Sequence, residues 1–136
     1  MPLANLNWLA IVAAALSMFV LGGLWYSKAV FGKAWMTACG LTEEDLKHGN
    51  AAKIFGLSFV FSLVMAINLA MFLNDPKTTA SWGATAGFLA GFGWVALSIA
   101  MIGLFERRTW KHIFINGGYV TIAFVLMGLI IGAWRK

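Results

Sequence analysis

The stretch Thr79-Ala80-Ser81-Trp82-Gly83-Ala84-Thr85-Ala86-Gly87-Phe88-Leu89-Ala90-Gly91-Phe92-Gly93-Trp94-Val95-Ala96-Leu97-Ser98-Ile99-Ala100-Met101-Ile102-Gly103-Leu104-Phe105 contains no Asp, Glu, Lys, Arg or His. As a helix it covers about 40 Å, more than the ~30 Å hydrocarbon core of a bilayer. The whole chain has the same character: 61% of its 136 residues are hydrophobic and 11% are charged, against about 45–50% and about 25% in soluble domains. An ordinary soluble domain is excluded. Barrel strands are a poor alternative, because they alternate apolar and polar residues and this stretch does not.

Three further apolar runs of similar length lie outward from this one: Asn7 to Tyr26, about Ile54 to Leu73, and Ile113 to Trp134. Asn74-Asp75-Pro76 ends the second with a turn signal. The first run has no basic residue before it and exceeds the core of a secretory signal, so it is expected to be a retained anchor. The expected fold is therefore all-α, a single four-span bundle over residues 1–136. The loop of about 28–50 is amphipathic. Val30, Phe31, Ala34 and Trp35 fall on one side of a helical projection with Lys28 and Lys33 at its edges, which predicts a short interfacial helix. Gly40 offers its stop, and Thr42-Glu43-Glu44-Asp45 resembles a capped helix start leading, through a bend at Gly49-Asn50, into the second span.

Ten basic and five acidic residues give a net charge of +5. Because the basic residues sit at span ends, their expected partners are membrane lipids rather than nucleic acid; Arg107 and Arg108 are the candidate headgroup contacts. Loops one and three hold Lys28, Lys33, Lys47, Lys53, Arg107, Arg108 and Lys111, whereas the second loop and the C-terminus hold Lys77, Arg135 and Lys136. That asymmetry predicts a cell or inner membrane with both termini on the non-cytoplasmic side. Trp8, Trp25, Tyr26, Trp35, Trp82, Trp110 and Trp134 fall near span ends, where amphipathic rings suit the headgroup layer. Trp94 alone falls mid-span, which makes it a candidate for an internal cavity.

Gly83, Gly87 and Gly91 form two overlapping GxxxG patterns, and Gly128 and Gly132 form another. These are the candidate helix-packing interface, since small residues let two backbones approach in lipid. Whether the partner helix belongs to the same chain or a neighbour is open at the level of sequence. Ser58, Ser62 and Asn68 share about a third of the second helix's circumference and are expected to face the bundle. Asn68 and Trp94 are the candidate pocket residues, with Asn116 and Tyr119 beside them.

No chemistry of a familiar kind is spelled out. His48 and His112 lie in the same loops as Cys39, Glu43, Glu44, Asp45 and Glu106, but no HxxxH, CxxC or HExxH spacing joins them, so neither metal nor cofactor is expected. The spans carry no carboxylate for a proton-coupled exporter, and the charge bias is unlike that of dual-topology fluoride channels. An enzyme acting on lipid headgroups would need a nucleophile paired with a base, and none is visible.

Leu21-Gly22-Gly23-Leu24-Trp25-Tyr26-Ser27, followed by Phe31-Gly32-Lys33-Ala34-Trp35-Met36, resembles the signature of the domain-of-unknown-function 1761 family. The resemblance continues through Gly40-Leu41-Thr42-Glu43-Glu44 and through Phe114-Ile115-Asn116-Gly117-Gly118-Tyr119 with Met127-Gly128. It implies a small four-span membrane protein and supplies no activity. If the family shares a site, the resemblance points to Trp25, Tyr26, Ser27, Phe31, Gly32, Lys33 and Trp35, joined by Asn116, Gly117 and Tyr119. These residues can converge, because the end of the first span and the start of the fourth share one interface. The expected role is that of a structural or interaction protein, self-associating as a homo-oligomer or serving as a subunit of a larger complex. The alternative is a small transporter or channel for a neutral or amphipathic solute.

Overall fold

A computed structural model of the chain describes residues 6–27, 29–42, 44–45 and 51–134. The sequence readings that rest on Lys28, Glu43, Lys47, His48, Gly49, Asn50, Arg135 and Lys136 lie outside the described residues. Among those described, the chain is helical and contains no strand. The elements are α1 (Trp8–Trp25), α2 (Gly32–Cys39), α3 (Ala51–Phe72), α4 (Ala80–Ala90), a π-helical turn (Gly91–Ala96), α5 (Leu97–Phe105) and α6 (Trp110–Ala133). The turn joins α4 and α5 into one continuous third span. Four helices are long and apolar enough to cross a membrane: Trp8–Trp25, Ala52–Phe72, Ala80–Phe105 and Trp110–Ala133.

Local chemistry fixes the ends. Asn7 caps α1 by accepting from the Ala10 amide at 3.2 Å, and its own Nδ2 donates to the Trp134 carbonyl at 2.9 Å, tying the start of α1 to the end of α6. Thr79 and Thr109 cap α4 and α6 through the amides of Trp82 and His112. The buried Thr78 hydroxyl donates to the Leu73 carbonyl at 2.8 Å, closing the end of α3. Gly40 ends α2 at φ +71°, where the Leu41 amide reaches the Met36 carbonyl and the Gly40 amide the Thr37 carbonyl, the paired bonds of a Schellman stop. Thr42 and Asp45 then bond reciprocally, each side chain to the other's amide.

The fourth span is the hub. α6 packs on α4, α1, the π turn, α2 and α5, whereas α3 packs on α1 and less extensively on α6. The core is apolar, with Ile11, Leu73 and Met127 fully buried among Ala14, Ala15, Ala66, Ala86 and Phe124. Leu9, Val20, Phe61, Phe105 and Phe114 point outward, as expected where the surroundings are lipid rather than water.

Candidate functional site

Two arrangements stand out. The first is an aromatic knot where α1, α2 and α6 meet. The Trp25 indole N–H donates to the Ile115 carbonyl at 2.8 Å, and the Tyr26 hydroxyl donates to Oδ1 of Asn116 at 2.6 Å. Tyr119 reaches back with its hydroxyl to the Met18 carbonyl at 2.9 Å. Tyr26 meets Trp35 and Tyr119 edge-on, at centroid distances of 5.4 and 5.5 Å, and Trp25 lies on Phe31 at 4.8 Å.

The link between α1 and α2 is as tight as its sequence suggests. Phe31 and Gly32 donate their amides to the carbonyls of Trp25 and Ser27. A methyl group at Gly32 would lie 2.6 Å from the Tyr26 carbonyl oxygen, so only glycine lets the chain fold back there. Looser contacts hold at Gly22, where a methyl group would lie 2.9 Å from the Tyr119 hydroxyl, and at Gly118, where it would lie 3.1 Å from the Trp25 ring. Burial, with Tyr119 and then Cys39 nearby, pushes the Tyr26 phenol above its ordinary pKa of 10.0. Burial likewise raises the Cys39 thiol, against the opposing pull of the Arg108 guanidinium.

Of the ten residues the resemblance points to, Trp25, Tyr26, Ser27, Phe31, Gly32, Trp35, Asn116 and Tyr119 come together in or beside this knot. Lys33 does not join it and is exposed. Gly117 lies on another face of α6, against Ala96 of the third span. His112, missed as a member, sits one turn before Asn116. Its Nε2 lies 3.5 Å from the Asn116 amide nitrogen, and its buried Nδ1 has no hydrogen-bond partner among the described residues. The i, i+4 spacing of His112 and Asn116 was the available signal.

Gly83, Gly87 and Gly91 face α6 of their own chain. Methyl groups at Gly83 and Gly87 would land on the carbonyls of Gly128 and Phe124, and one at Gly91 on the Phe124 side chain; Gly132 lies against the Thr79 carbonyl. The partner helix that the sequence leaves open is α6 of the same chain, which covers these glycines.

The π turn corrects the expectation for Trp94. In an unbroken α-helix the face of Gly83, Gly87 and Gly91 continues through Trp94 and Ser98. Here the extra residue in the turn passes that face to Ala96 and Gly103, which are buried against α6, and Trp94 swings out to 75% exposure. Trp94 therefore lines no internal cavity. Asn68 likewise is exposed rather than turned to the bundle centre, while Ser62 is buried and bonds to the Ser58 carbonyl.

Asn68 and Trp94 nevertheless both border the second arrangement. A cleft of about 770 Å³ lies between α3 and the third span, lined by Met65, Asn68, Phe72, Leu89, Trp94 and Phe124 among others. It opens sideways to the surroundings of the bundle, and no charged residue lines it. The Asn68 amide and the Trp94 indole N–H have no hydrogen-bond partner among the described residues. Such groups are costly to leave bare in hydrocarbon.

The two predicted headgroup residues sit together in the third loop. Arg107 takes φ 59°, a left-handed conformation unusual for arginine, and the Arg108 amide closes α5 on the Gly103 carbonyl at 2.8 Å. The Arg108 guanidinium pairs with Glu106 at 3.3 Å in an exposed contact.

Four apolar spans, a short surface helix after the first and a laterally open cleft define a polytopic helical integral membrane protein. The family model for a protein of unknown function, DUF1761, matches residues 9–132, and the chain belongs to that family. No curated protein and no solved structure matches it.

Proposed function

We propose that this is a non-catalytic membrane binding protein that takes up a neutral, amphipathic solute through the lateral cleft between α3 and the third span. One observation carries the reading: two uncharged hydrogen-bonding side chains, Asn68 and Trp94, stand without partners in an apolar cleft of about 770 Å³. Ligand sites of roughly 300–1,000 Å³ with apolar walls and a few polar groups are the common pattern. The aromatic knot supports the reading from the other side. The Tyr26 hydroxyl is engaged by the Asn116 side chain, and the Tyr119 hydroxyl and the Trp25 N–H by backbone carbonyls, so its role is to lock α1, α2 and α6 into a rigid frame beside which the cleft stays open. Assembly with itself or with a larger complex would need a surface other than the glycine faces. The loop charges favour placing the second loop on the non-cytoplasmic side.

Purified protein titrated with Nile red, an uncharged fluorescent probe, tests this. Saturable binding is expected, and Leu89→Trp, which fills the cleft from an exposed position, should abolish it while leaving the melting temperature unchanged. Absence of saturable binding, or binding indifferent to Leu89→Trp, would contradict the proposal.

A further inference from the structure

We infer that the third loop seats an anionic phospholipid, with its headgroup against Arg107 and Lys111 and its chains beside the aromatic rings of the adjoining span ends. None of these residues lines the cleft, so the site is independent of it.

The first argument is a backbone outlier. The Arg107 amide reaches the Leu104 carbonyl at 3.2 Å and the Arg108 amide the Gly103 carbonyl at 2.8 Å, the paired bonds of a Schellman stop. Arg107 takes the left-handed position of that motif, at φ 59°. Gly40 takes the same position at the end of α2, at φ 71°. Glycine adopts this backbone freely, whereas a residue with a β-carbon resists it. The chain thus builds one stop twice, and the backbone gives no reason for a cation in the second. Strain of this kind persists where the side chain serves a function.

Charge is the second argument. Arg108 pairs with Glu106, the only carboxylate between positions 100 and 136. Arg107, and Lys111 in the first turn of α6, are exposed and have no acidic partner among the described residues. Two positive charges are therefore left uncompensated within five positions of chain.

Depth chooses the counter-charge. The third span ends at Phe105 and the fourth begins at Trp110, so the short link between them lies at the level of the headgroups. Phe105, Trp110 and Phe114 are exposed beside it, and Trp110 lies on Phe114 at 5.9 Å. Exposed rings at span ends border acyl chains, so the anion that meets Arg107 is one carried on chains. A zwitterionic headgroup would bring its own ammonium group beside the two free cations. A headgroup of net negative charge brings none, and each basic residue strengthens its attraction.

Native mass spectrometry tests this on the full-length protein, incubated in detergent with equal amounts of phosphatidylglycerol and phosphatidylcholine of matched chains. Phosphatidylglycerol adducts are expected to exceed phosphatidylcholine adducts at least about fivefold. Arg107→Gly should lower them about fivefold, the value of one basic residue at an anionic surface. Because glycine suits the left-handed backbone, this variant is expected to melt no lower than wild type. Lys111→Gln should lower the adducts as well, whereas Lys77→Gln in the second loop should leave them unchanged.

Equal retention of the two lipids by wild type would overturn the inference. So would an Arg107→Gly protein that holds phosphatidylglycerol as wild type does, or one that melts well below it, which would give the arginine a structural role. A loss on Lys77→Gln as large as on Arg107→Gly would overturn the site in favour of attraction by net charge alone. Inorganic phosphate that strips the lipid at equal concentration would overturn it in favour of a soluble anion.

Discussion

The Tyr26 hydroxyl lies 2.6 Å from Oδ1 of Asn116, joining the end of α1 to the first turns of α6 across 90 positions of chain. Tyr26 also touches Trp35 of α2 and Tyr119 of α6, so one side chain connects the surface helix with two spans. Removing its hydroxyl leaves the half-buried Asn116 oxygen without that donor. Tyr26→Phe is expected to lower stability by about 1–2 kcal/mol, measured by reversible unfolding in mixed detergent and SDS micelles. Asn116→Leu added to it should cost less than it does in the wild-type background. Strict additivity of the two would show that the bond contributes nothing.

Gly87 and Gly23 make a matched pair. A β-carbon at Gly87 strikes the Phe124 backbone, while one at Gly23 meets nothing within 4 Å. Gly87→Ile should destabilise the single chain by more than about 4 kcal/mol or prevent its folding. Gly23→Ala should be neutral or stabilise by up to about 1 kcal/mol. The informative readout is monomer stability: a stable Gly87→Ile monomer would show that α4 and α6 do not pack through these glycines.

Tyr26 is the lone tyrosine in a Tyr119→Phe protein, because the chain has two. Its phenol is pushed above the ordinary value of 10.0, mainly by burial. A group whose pKa is higher in the folded than in the unfolded state adds stability below the unfolded value, and that stability is lost as pH rises through the folded one. Tyrosinate absorbance should therefore stay low just above pH 10 while the protein is folded. Stability should fall progressively from that pH upward. Ionisation with a midpoint near 10 in the folded protein would show that the phenol is not buried as described.

Much of this architecture was legible in the chain, for identifiable reasons. Charge-free apolar runs fixed the number of spans, because no other element satisfies its backbone in lipid. Gly40 marked the end of α2 through the left-handed conformation it adopts at φ +71°. The meeting of Trp25 and Tyr26 with Asn116 and Tyr119 followed from span counting, which puts both segments at one interface.

What escaped has physical causes as well. The π turn at Gly91–Ala96 leaves no periodic signature, since the residues on both sides are apolar or small, and it moved Trp94 from the α6 face to the outside. The inward reading of Asn68 from sequence rests on the premise that every helix face opposite lipid is packed by protein. Because α3 packs on α1 and barely on the third span, that premise fails there, and Asn68 looks into a cleft instead.

The most direct test of the account is native mass spectrometry of the protein released gently from its own membrane, comparing wild type with Leu89→Trp. The prediction is one neutral amphipathic molecule retained per wild-type chain and none of it on the variant, with the protein mass otherwise shifted only by the substitution. Wild-type chains that emerge bare, or a Leu89→Trp chain that carries the same molecule, would contradict a binding cleft between α3 and the third span.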